Sequence, residues 1–247
     1  METFKKILIC APTSAAKAYC FEDWLDNALK LNYPNFKIVL FDNTLDEGQS
    51  VEYQNNYYKR KYNGDQFLCI KSNTIGCDGV ISRICKSHND CRDYAIENNY
   101  DAILHLETDV FPEPHFLQEL VLNKKQVCGA LYYRDEARFR KLMVQQRIHR
   151  SPKNIFYSSF EPIDDLYFVD GTVKQASHIG LGCVLIQIDV LKKFPFRFIQ
   201  GIHMHTDSYW ADDCFKNKIK IFADTRLICQ HRNSNWIVNV YSKTNKA

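Results

Sequence analysis

Residues 104–114, LHLETDVFPEP, climb out of an apolar run and reach two carboxylates one residue apart, Glu107 and Asp109, before prolines close the stretch. Positions i and i+2 share one face of an extended chain, so both carboxylates can aim at one point. Oxygens aimed together are a seat for a hard divalent cation such as Mg2+ or Mn2+. They are also the polar end of a strand entering a turn, and the tripeptide alone leaves both readings open. Three further candidates lie downstream: Gly180 and Gly182 in HIGLGCVLI, the acid pair Asp212-Asp213, and His231 after an apolar run. Taken singly they read as a tight turn, a helix-capping feature and a satisfied histidine.

The elements that must position these residues alternate along the first half of the chain. Short β-branched runs at 5–11, 36–42, 66–72 and 100–107 predict strands. Apolar residues at helical spacing predict helices over 15–31, 51–62 and 79–99. A helix is expected at 114–123 and a strand at 126–134. Strands return at 172–180 and 182–189, then a helix around 208–217 and a strand over 220–231. Strands separated by helices imply parallel pairing through right-handed crossovers. Ligands on such sheets bind at the carboxyl ends of the strands, here marked by Pro12-Thr13, Asp42-Asn43 and Glu107-Thr108-Asp109.

The bulk numbers fit one α/β domain. The chain has 247 residues, 45% hydrophobic and 25% charged, with a net charge of +3 that suits an acidic ligand without demanding nucleic acid. No apolar run is long enough to span a bilayer, and the apolar segment 7–11 is too short for a signal peptide. Ten cysteines sit mostly inside apolar runs with no Cys-x-x-Cys pair, the pattern of reduced thiols in a cytoplasmic protein. The domain is expected to cover 1–231, with a variable insertion at 134–170 and a tail at 232–247.

In order, YDAILHLETDVFPEPHFLQELVLNKKQVCGALYYR, HIGLGCVLIQIDVLKKFPF and YWADDCFKNKIKIFADTRLICQH resemble the GT-A glycosyltransferases, nucleotide-sugar dependent and family-2-like. The resemblance implies a single GT-A (Rossmann-like) domain with a mixed, mostly parallel central sheet flanked by helices. It places Asp109 and His231 on the metal, with Glu107, a departure from the family's first Asp, at the metal or ribose beside Thr108. His178, Gly180 and Gly182 become the loop at the donor–acceptor boundary, where small residues let the backbone approach a sugar. Asp213 takes the position of the family's catalytic acid and Asp212 stands where Glu is usual. Thr13, Asp42 and Asn43 would meet the nucleotide's base and ribose, and Arg92 its diphosphate.

The implied activity is metal-dependent transfer of a sugar from a nucleotide diphosphate, UDP-sugar foremost, to a hydroxyl, with inversion and Asp213 as base. An imidazole ligand favours Mn2+ over Mg2+. Seven Lys or Arg between 134 and 153, interleaved with aromatics, suit a polyanionic acceptor such as DNA, while the same residues also make a solvated face. The acceptor is therefore either a hydroxymethylated DNA base or a glycan or protein. A chain rich in Asn, Lys, Ile and Tyr fits an AT-rich viral, phage or bacterial genome, and host cytoplasm if viral. Two other classes compete. A nucleotidyltransferase would want a Gly-rich phosphate loop after the first strand, which this chain lacks. An inactive nucleotide-sugar-binding domain would be expected to have lost its metal ligands.

Overall fold

The computed structural model describes residues 4–58, 66–136, 139–147, 160–201 and 204–233. The first part of the chain gives β1 (Ile7–Thr13), α1 (Phe21–Ala28), β2 (Phe36–Asp42), α2 (Glu47–Tyr58), β3 (Phe67–Lys71) and α3 (Gly79–Glu97). The central part follows with β4 (Ala102–Leu106), β5 (Val110–Phe111), α4 (Phe116–Leu122), β6 (Val127–Leu131), β7 (Tyr133–Glu136), β8 (Phe139–Leu142) and β9 (Val144–Arg147). The remainder comprises β10 (Phe160–Pro162), α5 (Asp165–Phe168), β11 (Val173–Ala176), β12 (His178–Ile179), β13 (Cys183–Gln187), α6 (Ile188–Leu191), α7 (Thr206–Lys216), β14 (Ile221–Ile228) and β15 (Gln230–His231).

Eight strands form the central sheet in the order β11-β14-β6-β13-β4-β1-β2-β3. β1, β2, β3 and β4 run parallel, and β13 lies antiparallel between β4 and β6. β14 returns parallel to β6, and β11 closes the edge antiparallel to β14. The sheet is thus mixed and mostly parallel, as the family resemblance implies; the alternating pattern accounts for its parallel strands β1 to β4.

Strand alternation divides the core into two layers. Ile7, Ile9, Leu104 and Leu106 face α1, whose Phe21, Trp24, Leu25 and Ala28 recur at helical spacing and are all buried. Leu8, Cys10 and Ile103 face the other way, toward Cys91 of α3 and Trp210 of α7. All ten cysteines are free, and eight of them are buried. Among the described residues no helix is long and apolar enough to cross a membrane.

The helix expected over 15–31 is broken into a 3-10 turn at Ala15–Lys17 and α1. Tertiary bonds override its periodicity. The Ala15 amide donates to Thr44 Oγ1 at 2.8 Å, and the Cys20 thiol donates to the Thr108 carbonyl at 3.3 Å, so the turn follows the strand ends. The strand expected at 126–134 also breaks, at Tyr132, whose ring is buried.

The described part of the 134–170 insertion forms the β7–β8 ribbon and contributes β9 and β10 to a small sheet ordered β10-β9-β12. The boundary expected after 231 falls inside a bonded segment. The Arg232 amide donates to the Asp109 carbonyl at 2.9 Å, and Asn233 reaches the Asp135 carbonyl at 3.3 Å. Residues 234–247 lie outside the described residues.

Gly129 of β6 lies opposite the loop that enters β13. A Cβ added there would meet Ile179 Cδ1 at 2.6 Å and the Cys183 carbonyl at 3.0 Å. Gly129→Ala should lower stability by about 1–3 kcal/mol through overpacking, read by denaturant unfolding; an unchanged midpoint would show that the neighbouring strands yield freely.

Candidate active site

The strand directions build the site. β1 ends at Thr13, β2 at Asp42, and β4 runs on into Glu107-Thr108-Asp109, so these residues share one edge of the sheet. β13 runs the opposite way and therefore starts at this edge. That brings Gly182 beside the acids, where its carbonyl accepts from the Glu107 amide at 3.0 Å. The chain leaving β14 runs on past Leu131 and Tyr133 as β15, pairing antiparallel with β5 so that His231 sits opposite Val110. This two-stranded ribbon lays His231 over Asp109.

One donor atom from each of Glu107, Asp109 and His231 lies within 4.8 Å of the other two. His231 Nε2 stands 3.5 Å from Asp109 Oδ2. Its Nδ1 donates to the Tyr133 carbonyl at 2.9 Å, so a neutral ring keeps its lone pair on Nε2, toward the acids. The edge of Tyr132 holds the ring from the side, with centroids 5.2 Å apart. Asp109 Oδ1 is buried and has no hydrogen-bond partner among the described residues. A buried carboxylate oxygen without a donor is costly unless a cation meets it. Two oxygens and an imidazole nitrogen fit a divalent ion such as Mn2+.

Charge is balanced tightly here. Burial and then the neighbouring Asp109 push the Glu107 carboxyl up to about 7, against the pull of Lys17 and His231. Burial also opposes ionisation of Asp109, but Lys17 and His231 outweigh it and hold that carboxyl down to about 2. Burial works to lower His231, yet Asp109 and Glu107 leave it raised. The Lys17 ammonium, at the end of the 3-10 turn, is ion-paired directly with Asp109 Oδ2.

The acid that α7 contributes is Asp207, which sequence reasoning missed. It lies in the first turn of α7, close enough to Glu107 to raise that carboxyl further. Its Oδ2 is 3.4 Å from His178 Nε2, and its Oδ1 accepts from the Ser208 amide at 2.7 Å. Burial would push Asp207 up, but His178 and His205 hold it well below the usual carboxylate range. The signal was its place: a crossover helix runs back from the carboxyl edge, so only its first turn touches the site.

Asp212 and Asp213 do not reach this centre. At a rise of 1.5 Å per residue, Asp213 stands about 9 Å farther along the α7 axis than Asp207. Asp212 is paired with Arg147 at 2.6 Å and Lys216 at 2.7 Å, and Asp213 is forked by Arg197 at 2.7 and 3.0 Å. They join α7 to β9 and to the 194–201 segment. Arg92 is misplaced for the same reason. It sits late in α3, where its Nε donates to the Leu191 carbonyl at 2.8 Å, beyond the far end of β13.

The remaining expected residues gather at the edge, though not all in the expected way. Thr13 Oγ1 lies 3.0 Å from Tyr53 Oη and 3.3 Å from Thr108 Oγ1, linking β1, α2 and the acid loop. Asp42 is fully buried and accepts from Thr44, Ser50 and Gln54, so it organises the loop carrying Asn43 and Thr44 instead of facing a ligand. Gly180 and Gly182 make room for Tyr132. Added Cβ atoms would fall 2.2 Å from its hydroxyl at Gly180 and 2.5 Å from its ring at Gly182, and Tyr132 Oη accepts from the Gly182 amide at 3.1 Å. The close contact that requires glycine at both positions is thus with this tyrosine. A second basic run of the sequence, Lys59-Arg60-Lys61, lies outside the described residues.

No family model matches the chain, and no curated protein matches it by sequence. Solved structures match by fold. The mannosyltransferase PcManGT from Pyrobaculum calidifontis, in complex with GDP-Man and Mn2+, shares 13% identity at a TM-score of 0.59, over 93% of this chain and 57% of that one. GalNAc-T7 with UDP, GalNAc and Mn2+ shares 12% at 0.60, over 94% and 44%. A197 from STIV shares 13% at 0.51, over 92% and 85%. The chain thus spans about half the length of the first two. At such identities the likeness establishes the fold, and the fold is GT-A.

Metal must displace whatever proton Glu107 carries, since ligands bind deprotonated. With that carboxyl at about 7, Mn2+ affinity measured by calorimetry should rise from pH 6 to pH 8, with proton release at the lower pH. Equal affinities would remove Glu107 from the ligand set.

Proposed function

We propose that the chain is a metal-dependent glycosyltransferase that takes a sugar from a nucleotide diphosphate, a UDP-sugar foremost, and passes it to a hydroxyl with inversion. The observation that carries this reading is the convergence of Glu107, Asp109 and His231 beside an unpartnered Asp109 Oδ1, at the carboxyl edge of a GT-A sheet. The Mn2+ named with the mannosyltransferase and with GalNAc-T7 supports the choice of ion, and the GDP-Man and UDP named there support the donor class.

Glu107, Asp109 and His231 would hold the ion, which when bound supplies Lewis-acid neutralisation of the departing diphosphate. Thr13 and Asn43 border the adjoining strand ends, where the nucleotide would lie. Asp207 takes the role first expected of Asp213. It is kept ionised at neutral pH, and it accepts the proton of the acceptor hydroxyl as that oxygen attacks the anomeric carbon. His178 Nε2 stands 3.4 Å from the carboxylate, on the side away from Ser208. A carboxylate base on the acceptor side, with no covalent step, implies inversion.

The acceptor is a glycan or protein hydroxyl, or a hydroxymethylated DNA base. Within the basic stretch Arg140 is paired with Asp135, and Arg147 with Asp212. Those cations stabilise the insertion and are not held ready for phosphates, which weighs against the DNA reading.

Asp207→Asn should lower kcat by roughly 100- to 10,000-fold, the usual worth of a positioned base, while UDP and Mn2+ binding persist. Asp213→Asn should keep most of the turnover. With nucleotide release from a panel of nucleotide sugars as the readout, the reverse ranking would return the base role to Asp213. A product of retained anomeric configuration, read by NMR, would remove Asp207 from that role.

A further inference from the structure

The metal seat already has a cation of its own. The Lys17 ammonium is ion-paired with Asp109 Oδ2, the oxygen that also faces His231 Nε2 at 3.5 Å, while Asp109 Oδ1 has no partner among the described residues. The lysine is delivered there by a built turn. The Lys17 amide donates to the Ser14 carbonyl at 2.9 Å, and the Lys17 carbonyl accepts from the Cys20 amide at 3.3 Å. The turn is anchored to both neighbouring loops, through Thr44 Oγ1 on one side and the Thr108 carbonyl on the other. Its side chain remains 25% exposed, so the ammonium has room to leave, whereas Asp109 at 2% has none.

An ion bound by His231 Nε2 as well as by Asp109 meets Oδ2, the oxygen that faces that nitrogen, even where Oδ1 also joins it; the ammonium on Oδ2 then competes with the ion, because their like charges repel at bonding distance in a site this dry. Asp109 is fixed by the ribbon and Lys17 hangs on a flexible four-carbon stem, so the lysine is the group that moves. A nucleotide diphosphate docking against the ion brings fresh anionic oxygens into the space the ammonium has just entered.

We propose that Lys17 is an exchangeable counter-ion: it holds Asp109 while the metal is absent, yields that oxygen to the metal, and then binds the donor's diphosphate. This rests on the metal seat proposed above and adds a second, mobile cation to it. The exchange keeps the two acids from repelling one another before the metal arrives. It also makes metal and donor binding favour each other, since the metal frees the lysine that the donor needs.

The test uses the full chain, with Mn2+ alone as the first probe and UDP in saturating Mn2+ as the second. Lys17→Met keeps the apolar stem and removes the charge. It should tighten Mn2+ binding roughly tenfold, as expected for losing a competing charge-assisted bond, and weaken UDP binding by a similar factor. Lys17→Arg should restore UDP binding, and an unchanged melting temperature certifies the fold. Unchanged Mn2+ affinity in Lys17→Met, or unchanged UDP affinity, overturns the exchange. Asp109→Asn separates the two levels. If it abolishes Mn2+ binding while Lys17→Met has no effect, the seat stands and the exchange fails. If wild type and Asp109→Asn take up Mn2+ alike, the seat itself fails, and the exchange with it.

Discussion

Two carboxylates held close together in a poorly solvated strand end repel each other, and each also resists ionisation there. Glu107 and Asp109 are in that position, and much of the surrounding structure brings positive charge to them. Lys17 arrives on the turn after β1, and His231 on the β5–β15 ribbon that follows β14. The outcome is asymmetric: Asp109 is held down to about 2, while Glu107 is pushed up to about 7. An ion placed between them would relieve the repulsion without needing the lysine. Asp109 is thus the permanent anion of the site and Glu107 the adjustable one.

The 180–182 loop beside the acids is supported differently, by neutral groups. The Leu181 carbonyl can only accept, so His105 Nδ1 donates to it at 2.5 Å, leaving His105 Nε2 to accept from His88 Nδ1 at 2.8 Å. Burial lowers both imidazoles, His105 to about 4, so they stand uncharged beneath the 180–182 loop. Tyr132 fills the space above, wedged against Gly180 and Gly182 and edge-on to His231. One tyrosine therefore sets the position of both the glycine loop and the metal-side histidine. A packing change there would be felt at both the loop and the histidine.

What was legible in the chain followed from period and order. β1 to β4 alternate cleanly with helices, and that pattern alone implied the sheet and the edge where Thr13, Asn43, Glu107 and Asp109 gather. His231 was legible through the ordered set of motifs. Residues on helices were read poorly, because a motif gives no sense of which turn of a crossover helix faces the edge. Asp212-Asp213 looked the part as an acid pair but stands about one and a half turns beyond Asp207, and Arg92 sits late in α3. Lys17 was hidden by the opposite error. Its segment has good helical spacing, and only tertiary bonds to Thr44 and Thr108 turn it into a loop that points at Asp109. The glycines were found, but their reason lies in a ring from another strand.

The proposed mechanism depends on Glu107, Asp109 and His231 forming one metal seat. Anomalous diffraction at the manganese edge, from crystals grown with Mn2+ and UDP, addresses it most directly. The expected result is a single peak about 2.2 Å from Asp109 and Glu107 oxygens and His231 Nε2. A peak away from these side chains, or none at full Mn2+ occupancy of the solution, would contradict it.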